Sequence, residues 1–581
     1  MRAASLFGVL VAAKVLVLLG RELPLSPGVL AALFWQDAAA ALLAAAVLDL
    51  PWRRRPRAGW TLYALACAYI AINVPVARLL STPLTPSMLR AARGTLADSI
   101  LHHVTLPAAL QVLAVAAVAA ALPFLLRRMN PRAVAVGLAA LAPLAILGFI
   151  AARRIDTGGL ERNAFAALLV NPVPRAVTGG GAPEPGDWRR SPFPQEPGED
   201  LGSWRGKARG RSVVLMMLES TGARYLAPYG AAEDPMPAVT ALARTAILFE
   251  HAYAVYPESI KGLFSVLCAT SPAFAAAPEA HGRFEVSSLA ESLAPAGYRT
   301  ALFHSGRFAY LGMDSVVKPM GFEVLEDAGA IGGNFESSFG VDEPAAVERL
   351  LAWIDSLPRG SRFLAVYLPV AGHHPYESPG GGPFSEREVT GRYRNALHYA
   401  DAALSRLLEG LRSRGLEQEM LLVLAGDHGE AFEEHPRNVG HTFQVYEENM
   451  RVPLLIAAPG LITEPVRVRR TASLLDLAPS VLDLLAVEPP AAWQGRSLLA
   501  PEPRMALFYT DYAVGLLGLR DGPWKFIHEV DTGRSRLFDL RTDPGEQADL
   551  ADRFPERIGA YRDRLLGWSA AQRERILGGG R

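Results

Sequence analysis

The sequence predicts two unlike halves in one chain: an N-terminal bundle of five transmembrane helices, then an α/β domain with helices on both faces of a sheet. Three observations carry that expectation. Half of the 581 residues are hydrophobic and only 20% are charged, and the mean hydropathy of +0.17 is high for a soluble enzyme yet low for a protein lying wholly in a bilayer. Five apolar segments, near 3–20, 26–48, 60–80, 105–126 and 133–152, crowd in before residue 153. Beyond Arg211, short β-branched and apolar runs alternate with helical patterns.

Composition excludes several classes. With 58 basic and 58 acidic residues the formal charge is zero, so no global basic field argues for nucleic acid. Cys67 and Cys268 stand far apart in apolar surroundings, which indicates neither a disulfide framework nor a thiolate metal site. Any metal must be held by oxygen and nitrogen.

Each apolar segment approaches the ~20 residues that span a hydrocarbon core. The first does not read as a cleavable signal, since no small-residue cleavage site is evident and four more spans come after it. Arg53, Arg54, Arg55 and Arg57 follow the second segment, and Arg127, Arg128 and Arg132 follow the fourth. Both loops are therefore expected on the cytoplasmic side, and an odd number of spans leaves the C-terminal part outside. Arg90 and Arg93, between the third and fourth segments, count against that orientation. Lys14 and Asp37 fall within spans and read as snorkelling groups or an intramembrane pair. Residues 1–152 thus form a transmembrane domain, and 153–211 an interfacial helix (160–171) with a Pro/Gly-rich linker.

In the soluble part, the residues just past each predicted strand carry the most information, because ligands of an α/β sheet bind beyond the carboxyl ends of its strands. The run 213–218 ends at Glu219, and 298–303 ends at His304. The run 363–368 leads to His373, His374 and Pro375, and 420–425 ends in Gly426-Asp427-His428-Gly429-Glu430. One strand-end His or Asp is ordinarily a turn or cap residue, but four at one edge of one sheet point to a site. A nucleophile is available in Tyr256-Pro-Glu-Ser-Ile-Lys-Gly-Leu-Phe-Ser-Val-Leu-Cys268, where Pro257 stops regular structure and Ser259 stands where an amphipathic helix begins. A Ser there is ordinarily an N-cap. Beside a divalent cation, the same placement suits an alkoxide that attacks phosphorus or sulfur, with Lys261 near enough in sequence to assist an anionic group.

Together, LEST (218–221), PESIKGLFSVLC (257–268), GHHPY (372–376), GDHGEAF (426–432), GHTFQVYEENMRVPLLI (440–456) and LFDLRTDPGEQADL (537–550) resemble the sulfatase-like branch of the alkaline phosphatase superfamily. With five N-terminal spans the chain looks most like the bacterial membrane phosphotransferases: lipoteichoic acid synthases, phosphoglycerol transferases and lipid A phosphoethanolamine transferases. The resemblance implies a catalytic domain over 212–504 and a small C-terminal α+β subdomain over 505–581, with a hairpin turn at Asp531-Thr-Gly533 and a final helix near 555–575. It implies that Glu219, Ser259, Asp427 and His428 hold the metal, that Ser259 is the nucleophile, and that His373 and His441 contact the transferred group or protonate the leaving oxygen. His304 matches a substrate-pocket histidine of the lipoteichoic acid synthases, while the Arg expected nearby aligns with Met313. His374, His435 and Arg307 are neighbours without an assigned role, His435 reading as a surface residue.

Two carboxylates, an imidazole and an alkoxide suit one Zn or Mn better than Ca, which prefers an all-oxygen shell. The expected activity is transfer of a phospho-head group, of phosphoglycerol or phosphoethanolamine type, from a phospholipid through phospho-Ser259 to an extracytoplasmic glycan or lipid acceptor. The expected place is a bacterial-type cytoplasmic membrane with the catalytic domain outside. The alternative is a membrane-anchored sulfatase or phosphodiesterase. The C-terminal motifs favour a sulfatase, but the C/S-x-P-S-R pattern that sulfatases convert to formylglycine is absent from Ser259-Ile-Lys-Gly-Leu263. Their calcium site also carries paired Asp residues where this chain has Glu219-Ser220. A non-catalytic sensor or scaffold is the third reading, disfavoured because all four metal positions carry competent groups.

Overall fold

The protein is described by a computed structural model over residues 1–21, 26–49, 55–80, 82–91, 104–155, 157–169, 187–335 and 339–578. Arg53, Arg54, Arg93 and the linker stretch 170–186 lie outside the described residues.

Among these residues, four helices are long and apolar enough to cross a membrane: Pro27–Val47, Pro56–Leu80, Leu106–Leu126 and Pro131–Ala152. The expected count was five. The remaining helix, Arg2–Leu18, has 17 residues, which at ~1.5 Å per residue reach about 26 Å, short of a ~30 Å hydrocarbon core. It is nevertheless an inner member of the bundle, burying Leu6, Val9 and Leu10 against Tyr63, Ile70 and Val115. Lys14 and Asp37 are an intramembrane pair, Nζ to Oδ2 3.0 Å. The ammonium also donates to the carbonyls of Leu33, Leu160 and Arg162 at 3.2, 2.8 and 3.3 Å, so a charge in an apolar bundle keeps a full set of acceptors. In the segment read as an interfacial helix, the described helix is shorter, Ala164–Leu169.

The main sheet has nine strands: β1 (Ser212–Leu218), β2 (Ala246–Tyr253), β3 (Tyr298–His304), β4 (Val324–Glu326), β5 (Arg362–Leu368), β6 (Met420–Gly426), β9 (Arg451–Val452), β10 (Leu454–Ala457) and β11 (Val466–Ser473). β7 (Ala431–Phe432) and β8 (Val439–Gly440) form a separate ribbon. The order is β11-β2-β10-β6-β1-β5-β3-β4, with β9 on β2. From β6 through β4 the pairs are parallel, while β10 runs antiparallel between β6 and β2. β1 is buried along its whole length because both faces are covered. Its odd residues Val213, Leu215 and Met217 pack with Leu263, Phe264 and Leu267 of the helix Ser259–Cys268. Its even residues Val214, Met216 and Leu218 pack with Leu350 and Leu397 of the helices Glu343–Ser356 and Val389–Ser413. Parallel register then brings the carboxyl ends of β1, β3, β5 and β6 to one edge, with Leu218 opposite Gly426 and His304 opposite Leu368.

At the C-terminal end, β12 (Ala506–Thr510), β13 (Leu516–Asp521), β14 (Trp524–Glu529) and β15 (Ser535–Asp539) make an antiparallel meander. The helix Pro555–Gly578 covers it through Tyr561, Leu565 and Trp568. Among the described residues, hydrogen bonds tie the N-terminal part to the soluble half: Thr85 Oγ1 to Tyr512 O at 3.0 Å, Arg437 Nη1 to Thr157 O at 3.0 Å and Arg534 Nη1 to Ile155 O at 2.8 Å. The Arg162 guanidinium also donates to Ala513 O.

Candidate active site

Glu219 leaves β1 and Asp427 leaves β6, side by side. Asp427 N donates to Leu218 O at 3.1 Å, and Asp427 Oδ1 accepts from Ser220 N at 3.0 Å and His428 N at 2.7 Å. These bonds hold the Asp427 carboxylate at the strand end, and Glu219 Oε1 accepts from the Ser220 hydroxyl at 2.9 Å. Gly372 is required here: its φ is +111° and a Cβ would stand 2.4 Å from Glu219 O, so only glycine lets the loop after β5 pass against this turn.

Ser259 is the first residue of its helix, but Glu258 does the capping, its carboxylate accepting from Ile260 N at 3.0 Å and Lys261 N at 3.4 Å. The Ser259 hydroxyl is released from the N-cap task. It donates to Glu219 Oε2 at 2.8 Å and lies 3.4 Å from His428 Nε2. His428 Nε2 is in turn 3.5 Å from Glu219 Oε1 and 3.4 Å from Asp427 Oδ2. Its Nδ1 is 3.1 Å from Gly429 O. A carbonyl can only accept, so one proton belongs on Nδ1. Burial works against the charged ring, but Asp427 and Glu219 raise His428 and so favour a second proton, or a cation, at Nε2.

The donor atoms of Glu219, Asp427 and His428 lie within 4.8 Å of one another, all three buried. Burial and the neighbouring Glu219 push Asp427 up to about 7. Burial works against ionised Glu219 too, but the charge of His428 above all, with the hydrogen bond from Ser259, holds it down at about 2. Two carboxylate oxygens, an imidazole nitrogen and a hydroxyl converge with a negative charge in excess, and that donor set fits a Zn or Mn ion.

Around this centre lies a cavity of about 90 Å³ whose wall includes Ser259, His304, Arg307, His373, His441 and Tyr512. His373 and His304 give Nδ1–H to backbone carbonyls, of His374 at 2.7 Å and Leu368 at 2.9 Å. Burial pushes His304 below its ordinary value, leaving a neutral ring with Nε2 as acceptor. His441 stacks on His428 at 4.1 Å and its Nδ1 is 2.6 Å from Glu430 Oε2. Burial lowers the His441 imidazole and raises Glu430 to about 7, so the two share one proton as a neutral pair. The other Glu430 oxygen accepts from the Tyr376 hydroxyl.

The structure therefore gathers Glu219, Ser259, Asp427, His428, His304, His373 and His441 in one place. Lys261, expected to bind substrate, is elsewhere: its Nζ is 3.1 Å from both Asp511 oxygens and it is buried. Two residues on from Ser259 it lies ~200° round the helix, facing inward. His435, expected on the surface, is buried with Nδ1 2.7 Å from Glu448 Oε1. Met313 does line the cavity where an Arg was expected, and Arg307 brings a guanidinium to the same wall. His374 lies against Tyr376, ring to ring 5.3 Å. Glu430 was missed as a positioning group although it stands inside the GDHGE motif. Phe339, 4.4 Å from His373, and Tyr512 carry no signal in the sequence.

Residues 211–487 match the family described as Sulfatase, and residues 441–557 the family described as N-sulphoglucosamine sulphohydrolase, C-terminal. Arylsulfatase K of Bos taurus is 30% identical over 244 residues, 37% of this chain and 44% of that protein. Arylsulfatase K of Homo sapiens is 28% identical over 239 residues, 36% and 43% of the two. The chain thus spans under half the length of these curated relatives. Among solved structures, a protein of the alkaline phosphatase superfamily from Vibrio parahaemolyticus aligns with a TM-score of 0.54 at 18% identity, over 66% of this chain and 90% of that one. A lipoteichoic acid synthase from Listeria monocytogenes gives 0.49 at 18% identity, over 63% and 93%.

Proposed function

From the premise that residues 211–487 are a domain of the sulfatase-like branch of the alkaline phosphatase superfamily, we propose a membrane-anchored, metal-dependent esterase that attacks a tetrahedral sulfuric or phosphoric centre through Ser259. The observation that carries this reading is the Ser259 hydroxyl, 2.8 Å from Glu219 and 3.4 Å from His428 at a helix N-terminus. Glu219 Oε2 is placed to draw the hydroxyl proton as Oγ bonds to the central atom. His373 and His441 lie where they can hydrogen-bond the outer oxygens and hand a proton to the departing alcohol. Glu430 holds the His441 ring in that orientation. A divalent cation held by Glu219, Asp427, His428 and Ser259 supplies Lewis-acid stabilisation of the ester oxygens and an easier serine ionisation when bound.

Sulfuric ester hydrolysis is the first reading. Both family matches and the arylsulfatase K relatives support it over phospho-head-group transfer, the activity expected from the motifs. Transfer from a phospholipid to an envelope glycan or lipid stays as a second reading on one observation. Ser259-Ile-Lys-Gly lacks the Pro and Arg of the formylglycine pattern, and an unconverted serine with carboxylate and imidazole donors suits phosphorus. In either reading the spans hold the site at a membrane face, with the catalytic half on the extracytoplasmic side of a bacterial-type cytoplasmic membrane.

The test is the metal-loaded full-length protein offered an aryl sulfate, an aryl phosphodiester and phospholipid vesicles, with the mass of the tryptic peptide containing residue 259 measured afterwards. Aryl sulfate turnover assigns the first reading. Phospho-Ser259 formed on vesicles assigns the second. No turnover of any of the three, with residue 259 unmodified and one metal bound, sinks both.

A further inference from the structure

A second cavity, of about 320 Å³, shares no lining residue with the active site and is bordered by Arg224, His251, Arg451 and Arg520. Arg520, on β13, is 5% exposed. Its Nε and Nη1 are buried without a hydrogen-bond partner among the described residues. Idle donors on a buried guanidinium are costly, and the carboxylates that also face the cavity are already engaged. Glu447 accepts from Lys525 Nζ at 2.9 Å and from the Tyr253 hydroxyl at 3.0 Å. Glu448 Oε1 is 2.7 Å from both His435 Nδ1 and Asn438 Nδ2. Glu434 accepts from Phe432 N at 2.6 Å and from the Tyr225 hydroxyl, and lies 3.5 Å from Arg224. Arg451 is held with Nε and Nη2 on Glu250 O at 3.0 and 2.8 Å. Burial, then Arg520 and Arg451, lower His251 to about 4 against the raising pull of Glu447 and Glu250.

We propose that this cavity binds a tetrahedral oxyanion, sulfate or phosphate, free or carried on a larger molecule, with the Arg520 fork as principal donor and Arg451 and Arg224 completing the charge. A planar guanidinium matches two oxygens of such a group at once. Arg451 opens β9, ten residues on from His441 of the active site, so occupancy braces the segment leading from one wall of the catalytic cavity without entering it.

The test uses the metal-loaded full-length protein in detergent at constant ionic strength. Sulfate is titrated calorimetrically against a chloride control, in the wild type and in Arg520→Met. One bound equivalent is expected to weaken at least tenfold in the variant while turnover at saturating substrate is kept. Crystals grown with selenate are expected to show anomalous density beside Arg520. Glucosamine 6-sulfate separates the sources: if it competes for the same equivalent the group is taken on a carrier, and if it is excluded the free anion is the ligand. Sulfate binding unchanged in Arg520→Met, or a cavity without selenate density, overturns the proposal. Should Arg520→Met fail to fold, Arg520→Lys keeps the charge without the fork, and the selenate experiment needs no variant.

Discussion

Ser259 and Lys261 stand two residues apart on one helix and do opposite things. Ser259 faces the carboxylates because Glu258 takes over the capping, and Lys261 faces Asp511. The sequence marks both as candidates, and only the direction of each side chain separates them. Glu430 acts one step behind the chemistry. Glu430→Gln is expected to lower kcat about 10–100-fold with little change in KM, the usual size for loss of a group that orients a site residue, as steady-state kinetics will check. His281 gives a prediction of a different kind. Its Nε2 accepts from Ala273 N at 3.0 Å and its Nδ1 donates to Ala277 O at 3.1 Å, so the neutral ring is used on both sides. Burial, then Lys261, lower it from 6.5 to about 4. Unfolded chains bind its proton first as pH falls. Its contribution is therefore complete above pH 6.5, declines from there to about pH 4 and is level below, a span worth roughly 3 kcal/mol. Denaturant titrations of wild type and His281→Gln across that range are expected to converge as pH falls.

At the scale of elements, the helix Ser259–Cys268 is pinned by one buried ion pair. Asp511 accepts from Lys261 Nζ, from the Tyr256 hydroxyl at 2.6 Å and from Ala275 N at 2.5 Å, with both members of the pair 7% exposed. Asp511→Ala strands a buried ammonium, and a loss of about 3–5 kcal/mol is expected. The double variant Asp511→Ala with Lys261→Met is expected to recover part of it in a double-mutant cycle. Runs 213–218, 298–303, 363–368 and 420–425 were legible as strands because central parallel strands are apolar on both faces. β11 was not, since Val466-Arg-Val-Arg-Arg alternates at a sheet edge and carries charge there. β10, only four residues long, starts inside a motif that could be recognised but not placed.

For the whole molecule, the charge arrangement predicts that a divalent ion bound at Glu219, Asp427 and His428 adds to stability. Glu219 and Asp427 face each other across His428, and chelation leaves that repulsion unrelieved. Elemental analysis is expected to find one equivalent of Zn or Mn, and chelator treatment is expected to lower the unfolding midpoint by several degrees, restored by adding the metal. Asp427→Asn is expected to bind no metal and yet to unfold about 1 kcal/mol later than the chelated wild type, since it removes a like charge. The bundle is coupled to this site through the segment that holds Asp511, Tyr512 and Ala513. There Thr85 and Arg162 meet carbonyls of residues adjoining a wall of the catalytic cavity.

The apolar segments, the central strands and the residues at their carboxyl ends follow from the sequence by itself, because periodicity and strand-end placement are local properties. Its near lack of cysteine likewise pointed any metal to oxygen and imidazole donors. Tertiary structure decided which way Ser259 and Lys261 point, that His435 is buried, that Glu430 stands behind His441 and that Arg520 faces a cavity with two idle donors. Each of those depends on contacts between residues far apart in the chain, where helix rotation, strand order and packing determine direction.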